Sequence, residues 1–277
     1  IDLSLAFNKQ LGKDWTIMLQ GTFTYAQSKI REMDEPLSVV GTNRARTGHR
    51  INQLFGLVDE GLFTEDDFKA DGSLKEGLPK HTFGPVRPGD IKYKDLNDDG
   101  VVDSFDETAI GGTIDPQLVY GFGATVKYRQ FDLGFFFQGN GETYRVIGAG
   151  KNAFIPGSGD GWGAIYSNYN DRWTPENPSQ NVFWPRLSRM ENKNNAQSST
   201  WWLRNMSMLR LKNIELGYSF SKKTLLPNFI QSARIFIAGS NLLQFSKFKM
   251  WDPELDTPNG QCYPITKSVS LGLNVSF

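Results

Sequence analysis

Apolar and polar residues alternate with period two along seven stretches of the chain, the spacing that puts every second side chain on one face of a β-strand. In the first stretch Ile1, Leu3, Leu5 and Phe7 share one phase, opposed by Asp2, Ser4, Ala6 and Asn8. In the second, Trp15, Ile17, Leu19, Phe23 and Tyr25 oppose Thr16, Gln20, Thr22 and Thr24. Leu118, Tyr120, Phe122, Ala124, Val126 and Tyr128 form the third apolar set; Phe131, Leu133, Phe135 and Phe137 form the fourth. Ile214, Leu216, Tyr218 and Phe220 continue the series, but Leu209 and Leu211 fall on the other phase, which predicts a β-bulge near Lys212. "ARIFIAGSNLLQF" is apolar on both phases and is the least regular stretch. The last is the clearest, with Val269, Leu271, Leu273, Val275 and Phe277 against Ser268, Ser270, Gly272, Asn274 and Ser276.

The connections alternate too. "KQLGKD", "RQ" and "SKKTLLPNFIQ" are short, whereas residues 29–117, 140–203 and 247–264 are long. Compact domains seldom alternate tight turns with loops of that length. A transmembrane β-barrel does, with short periplasmic turns and long extracellular loops. Each strand fits the about nine to eleven tilted residues that cross a hydrocarbon layer. Trp15, Tyr25, Tyr128, Tyr218, Phe220 and Phe277 sit near strand ends, where an interfacial girdle belongs. The competing arrangement is a soluble sandwich whose apolar faces meet in one core. Against it, the opposite faces carry mostly Ser, Thr, Gly, Asn and Gln, with little Lys or Glu. The expected fold is therefore all-β, an antiparallel up-and-down transmembrane barrel segment with long extracellular loops. Seven strands are too few to close over such loops, and an open edge in lipid is costly. A fragment from the C-terminal part of a larger barrel is expected, with its true N-terminus missing.

Composition removes several alternatives. Thirty basic and thirty acidic residues balance to zero net charge, giving no reason to expect nucleic acid. A single cysteine, Cys262, cannot form an internal disulfide, and His49 and His81 offer little for histidine catalysis. No apolar run is long enough for a membrane-spanning helix.

One stretch carries metal chemistry. In "DLNDDGVVDSFD", residues 95–106, oxygen-bearing side chains fall at loop positions 1, 3, 5, 9 and 12: Asp95, Asn97, Asp99, Asp103 and Asp106. Gly100 takes the sharp-turn position and Val101 offers its carbonyl at position 7. That spacing suits a hard divalent cation, Ca²⁺ above all. Asp106 stands where an EF-hand has a bidentate Glu, and proline and glycine on both sides exclude the flanking helices. The loop reads as a structural calcium staple within the 29–117 connection; the plain alternative is an Asp/Asn/Gly turn that binds nothing.

The blocks "PGDIKYKDLNDDGVVDSFDETAIG" and "DPQLVYGFGATVKYRQFDLGFFFQGNGE" resemble the SusC/RagA-type TonB-dependent outer-membrane transporters. So do "RWTPENPS", "LRLKNIELGYSF", "GSNLLQFSKFKMWDPELD" and "YPITKSVSLGLNVSF", in order across residues 88–277. The resemblance implies a plugged barrel in the outer membrane of a Gram-negative bacterium, importing a large nutrient, commonly an oligosaccharide and sometimes a peptide. It implies uptake driven by TonB through an N-terminal plug absent from this chain, and a SusD-like surface lipoprotein as partner. The alternative is a soluble, calcium-stabilised β-domain that binds glycans.

The 140–203 loop is rich in aromatics, and Trp162, Tyr166 and Trp173 are candidate contacts for ligand or partner, set against simple loop packing. Arg44, Arg46, His49 and Arg50 could attract an anion, but a solvated loop or salt-bridged anchor accounts for them better. Asp252, Glu254 and Asp256 lie close in sequence, as glycosidase carboxylates would, yet nothing sets them across a cleft. "GAGKN" lacks the earlier glycine and the hydroxyl residue of a phosphate loop. No enzyme is expected.

Overall fold

A computed structural model describes residues 1–148, 154–156, 165–220 and 229–277. Seven strands form one antiparallel sheet in chain order: Asp2–Leu11, Trp15–Tyr25, Leu118–Tyr128, Phe131–Gly141, Met208–Phe220, Ser232–Ser246 and Ser268–Ser276. This is an up-and-down meander, with each strand paired to its sequence neighbour in the sheet. The bulge expected near Lys212 is present: pairing slips between Leu211 and Asn213, and on the facing strand between Phe136 and Phe137. A bulge turns over the side-chain phase, which is why Leu209 and Leu211 rejoin the apolar face that Ile214 and Leu216 occupy.

Register decides that the seven apolar phases form a single surface. Across one row Leu133 lies opposite Val126 and Leu216, which meets Ile237, which meets Leu271. At the far side Leu3 faces Phe23 and Phe7 faces Leu19. The surface is uncovered, with Leu5 78% and Leu271 76% exposed. Among the described residues no second sheet packs on it, so the sandwich arrangement does not hold. Contiguous apolar area of this extent has a use only in contact with something equally apolar.

The short-turn end carries an aromatic row. Trp15 pairs with Tyr128, Tyr128 with Phe131 and Phe131 with Tyr218, so four rings lie side by side across four strands. Trp15 and Tyr128 have centroids 4.3 Å apart, and Phe131 and Tyr218 4.8 Å. Rings with a polar edge suit the boundary between hydrocarbon and water.

The other face is polar and crowded by design of glycine against bulk. A Cβ on Gly272 would come within 2.2 Å of the Phe236 ring, and one on Gly121 within 2.7 Å of Phe136. Arg234 bridges Asp132 and Glu215 on this face. Charge held in pairs across neighbouring strands belongs to a wet interior and not to lipid.

At the opposite end the three long connections fold together into a cap with its own core. Leu57, Leu62, Ile91, Tyr93 and Val102 come from the first connection; Ile147, Phe154, Trp173, Trp184, Trp202 and Met206 from the second; Phe248 from the third. Short ladders organise them: Asp59–Leu62 with Ile91–Tyr93, Gln53–Gly56 with Thr108–Thr113, and Tyr144–Val146 with Leu203–Asn205. The first two connections are locked by a buried carboxylate. Asp90, fully buried, accepts two bonds from Arg186 at 3.0 Å each, one from Asn192 at 2.8 Å, one from Asn195 at 3.0 Å and one from the Arg87 amide at 2.8 Å. Five donors offset the desolvation of one carboxylate. His81 is buried beside it, between the rings of Phe63 and Tyr93. Asn194 Oδ1 can only accept, so His81 Nδ1–H donates to it at 2.7 Å, while Nε2 has no hydrogen-bond partner among the described residues.

Two outcomes follow from the cap core. Asp90→Ala strands Arg186 and three amides, the side chains of Asn192 and Asn195 and the Arg87 backbone, and should cost the cap about 3–5 kcal/mol, read as faster hydrogen exchange at Ile91 and Tyr93, with strand amides of the sheet unchanged. Burial holds the His81 pKa below the ordinary histidine range, the Asn194 bond opposing it only in part. The unfolded cap therefore takes up a proton that the folded cap refuses once pH drops below about 6.5. Cap stability should fall between about pH 7 and pH 5, followed by tryptophan fluorescence on heating, and His81→Gln should flatten that dependence.

Candidate functional site: the acidic loop and the cap cavity

The acidic loop lies in the first connection, between the strands Ile91–Tyr93 and Thr108–Thr113, and its own Val101–Val102 segment pairs in parallel with Lys80–His81. Its side chains turn the backbone on itself. Asp95 Oδ2 accepts from the Gly100 amide at 2.8 Å, Asn97 from Asp99 at 3.1 Å, Asp99 from Val101 at 2.8 Å and Asp103 from Phe105 at 2.7 Å. Gly100 has φ +81°, a conformation that disfavours a Cβ. Asp98 adopts φ +57°, which Asp tolerates. Asp106 is fully buried and pins the loop's two ends, accepting from Leu96 at 2.7 Å and from Asp103 at 2.8 Å. Among the described residues no three acidic, histidine or cysteine side chains converge as a ligand set. One oxygen stands apart: Asp95 Oδ1 is buried and has no hydrogen-bond partner.

The three aromatic candidates separate. Trp173 is buried in the cap core, its ring over Gly89 and its amide bonded to the Trp184 carbonyl, so it packs the loop. Trp162 lies outside the described residues. Tyr166 is half-buried, with its ring stacked on Trp184 at 5.6 Å, and burial raises its pKa.

Tyr166 also lines a cavity of about 560 Å³ between the second and third connections. The remaining wall comes from Ser167 and Asn168, from Phe183, from Leu203–Asn205 and from residues 247–250. Arg204 lies over the Phe183 ring at 4.8 Å and donates to the carbonyls of Trp201 and Leu203 at 2.7 and 2.9 Å. Burial lowers the Arg204 pKa, with Asp59 opposing from a distance. Sequence reasoning missed Arg204, Lys247 and Lys249 because they arrive from segments more than forty residues apart. The signal was the alternation in "FSKFKM", where Lys247 and Lys249 share a phase that the buried Phe248 does not.

The other charged runs are accounted for structurally. Arg210, itself buried, holds Asp252 at 2.5 Å and Glu254 at 3.2 Å; Lys212 holds Glu254 at 2.7 Å; Arg145 holds Asp256 at 2.8 Å. Each of these carboxylates is thus charge-paired with a cation from another segment of the chain. Arg46 lies over Phe55 at 4.8 Å and Arg44 over Phe105 at 5.4 Å, while Glu35 accepts the Arg46 amide at 2.6 Å. That run anchors its loop on aromatic faces.

No family model matches the chain. Among curated proteins it is similar to TonB-dependent receptor P26 of Formosa agariphila, 29% identical over 207 residues covering 70% of this chain and 20% of the relative. TonB-dependent receptor P3 of the same organism is 26% identical over 249 residues, 85% of this chain and 23% of the relative. The chain spans about a fifth to a quarter of the length of these relatives. Among solved structures it is similar to "Structure of the RagAB peptide transporter", with TM-score 0.72, 21% identity, and coverage of 100% of this chain and 28% of the other. The RagAB peptide importer in its "closed-closed" state gives TM-score 0.70, 22% identity, and coverage of 100% and 29%. In sequence the chain is thus similar to TonB-dependent receptors, and in fold to part of the RagAB transporter structures, over a stretch that corresponds to part of their barrel.

Proposed function

We propose that this chain is the C-terminal barrel portion of an outer-membrane, TonB-dependent importer. The observation that carries the reading is the single uncovered apolar face running across seven strands, with a folded cap at one end and an aromatic row at the other. The short turns and Phe277 face the periplasm, and the cap lies outside the cell. The first and last strands of the sheet, each paired on one side only, would continue into the rest of a closed barrel. The cargo is a large nutrient, an oligosaccharide or alternatively a peptide. A SusD-type surface lipoprotein would close over the cap, and TonB would act through a plug supplied by the rest of the receptor. The reading assigns no catalysis to this portion, in keeping with the pairing of Asp252, Glu254 and Asp256. The full-length protein should fractionate with outer membrane and need detergent to stay monodisperse. A monomer stable without detergent would instead favour a soluble glycan-binding domain.

The 95–106 loop is proposed to hold Ca²⁺ as a structural clasp. The donor set fits in kind: Asp95, Asn97, Asp99, the Val101 carbonyl, Asp103 and Asp106 supply oxygens only, as a hard cation requires. The unpartnered Asp95 Oδ1 supports it, since a buried carboxylate oxygen without a donor is costly unless a cation meets it. Bound there, the ion would cross-link a long connection and reduce the entropy cost of ordering it. Calcium should raise the melting temperature of the cap, and Asp99→Ala, an exposed position, should remove that rise together with any heat of calcium binding.

A further inference from the structure

We propose that the cavity beside Tyr166 and Phe183 is a subsite for an anionic group of the imported molecule, a carboxylate or sulfate ester carried next to a flat ring. The inference rests on the importer reading and names the chemistry of its cargo. Three cations line the cavity, Arg204, Lys247 and Lys249, and among the described residues no acidic side chain does. Among the described residues none of the three has a carboxylate within ion-pair distance.

The acids that follow in sequence are not available to neutralise them. Asp252, Glu254 and Asp256 are each held by Arg210, Lys212 or Arg145. Asp59, the carboxylate that Arg204 senses, is bonded to the Thr200 hydroxyl and the Thr200 side chain in turn holds the Asp59 amide at 2.8 Å. Among the described residues the charge in the cavity is therefore surplus. Neighbouring acids are sequestered while the lysines stay exposed at its rim.

The rest of the wall suits the same ligand. Arg204 spends its Nη1 on two backbone carbonyls, which fixes the guanidinium plane and leaves its other donors unused. Asn205 uses its side-chain oxygen on the Ser207 amide at 2.7 Å, leaving its NH₂ as a further donor at the wall. Tyr166 and Phe183 add aromatic surface on which a pyranose or planar ring can lie. A cavity of about 560 Å³ holds a few rings, not a folded partner.

The test uses the full-length receptor in detergent and two matched probe pairs, tetragalacturonate against maltotetraose, and a Glu-rich tetrapeptide against its Gln counterpart. At least one anionic probe should bind about tenfold or more tighter than its neutral match at low salt. That preference should shrink as salt rises. It should be lost in Lys247→Gln/Lys249→Gln, whose exposed positions keep folding out of question, and in Arg204→Gln. Which pair shows the preference tells acidic sugar from acidic peptide. Equal binding of charged and neutral probes in both pairs, or a preference that survives both variants, overturns the subsite. A receptor that remains in the outer membrane and imports its cargo without any charge preference overturns the subsite and leaves the importer reading standing.

Discussion

Hydrocarbon cannot hydrogen-bond, and that one fact constrains the whole sheet. A backbone crossing lipid must satisfy its amides and carbonyls within the structure, so it runs as strands paired edge to edge. The face toward lipid must then be apolar along every strand, while the other face stays free for polar groups. Leu3, Phe122, Leu216 and Leu271 on one side, and Asp132, Glu215 and Arg234 on the other, are the direct expression of that division. The glycines of the polar face follow from it as well. Bulky side chains such as Phe136 and Phe236 fit there only where Gly121 and Gly272 leave room.

The long connections meet a different demand. Chains of this length have much conformational entropy to lose and no lipid to rest against. They solve this by building a hydrophobic core from all three connections at once, with Trp184, Trp202 and Tyr93 among its buried members. Asp90 and its five donors join the first connection to the second, while Arg210 and Arg145 tie the third to the strand and ladder beneath it. Each ion pair thus spans elements distant in sequence, which makes the cap one body and gives its cavity a fixed wall.

Much of the barrel was legible because a period-two pattern is local. Even the bulge at Lys212 was visible, since a phase reversal between Leu211 and Ile214 has no other economical cause. The cap was legible only as length and aromatic content. Trp173, whose place in the sequence suits a ligand contact or loop packing alike, is buried against Gly89, because a tryptophan in a loop looks the same in sequence whether it faces a ligand or a neighbouring loop. The acidic cluster at 252–256 was equally opaque, its partners Arg145 and Arg210 lying up to about a hundred residues away.

The amino-acid sequence alone determined the strands, their order along the chain, the bulge, and the oxygen-rich composition of the 95–106 loop, since each depends on neighbours within a few residues. Tertiary structure decided that seven apolar phases merge into one face, which loop aromatics are interior, and which charges remain unpaired around the cavity. Those outcomes depend on register and on contacts between segments far apart in the chain, and no local pattern encodes the distance between two residues that only folding brings together.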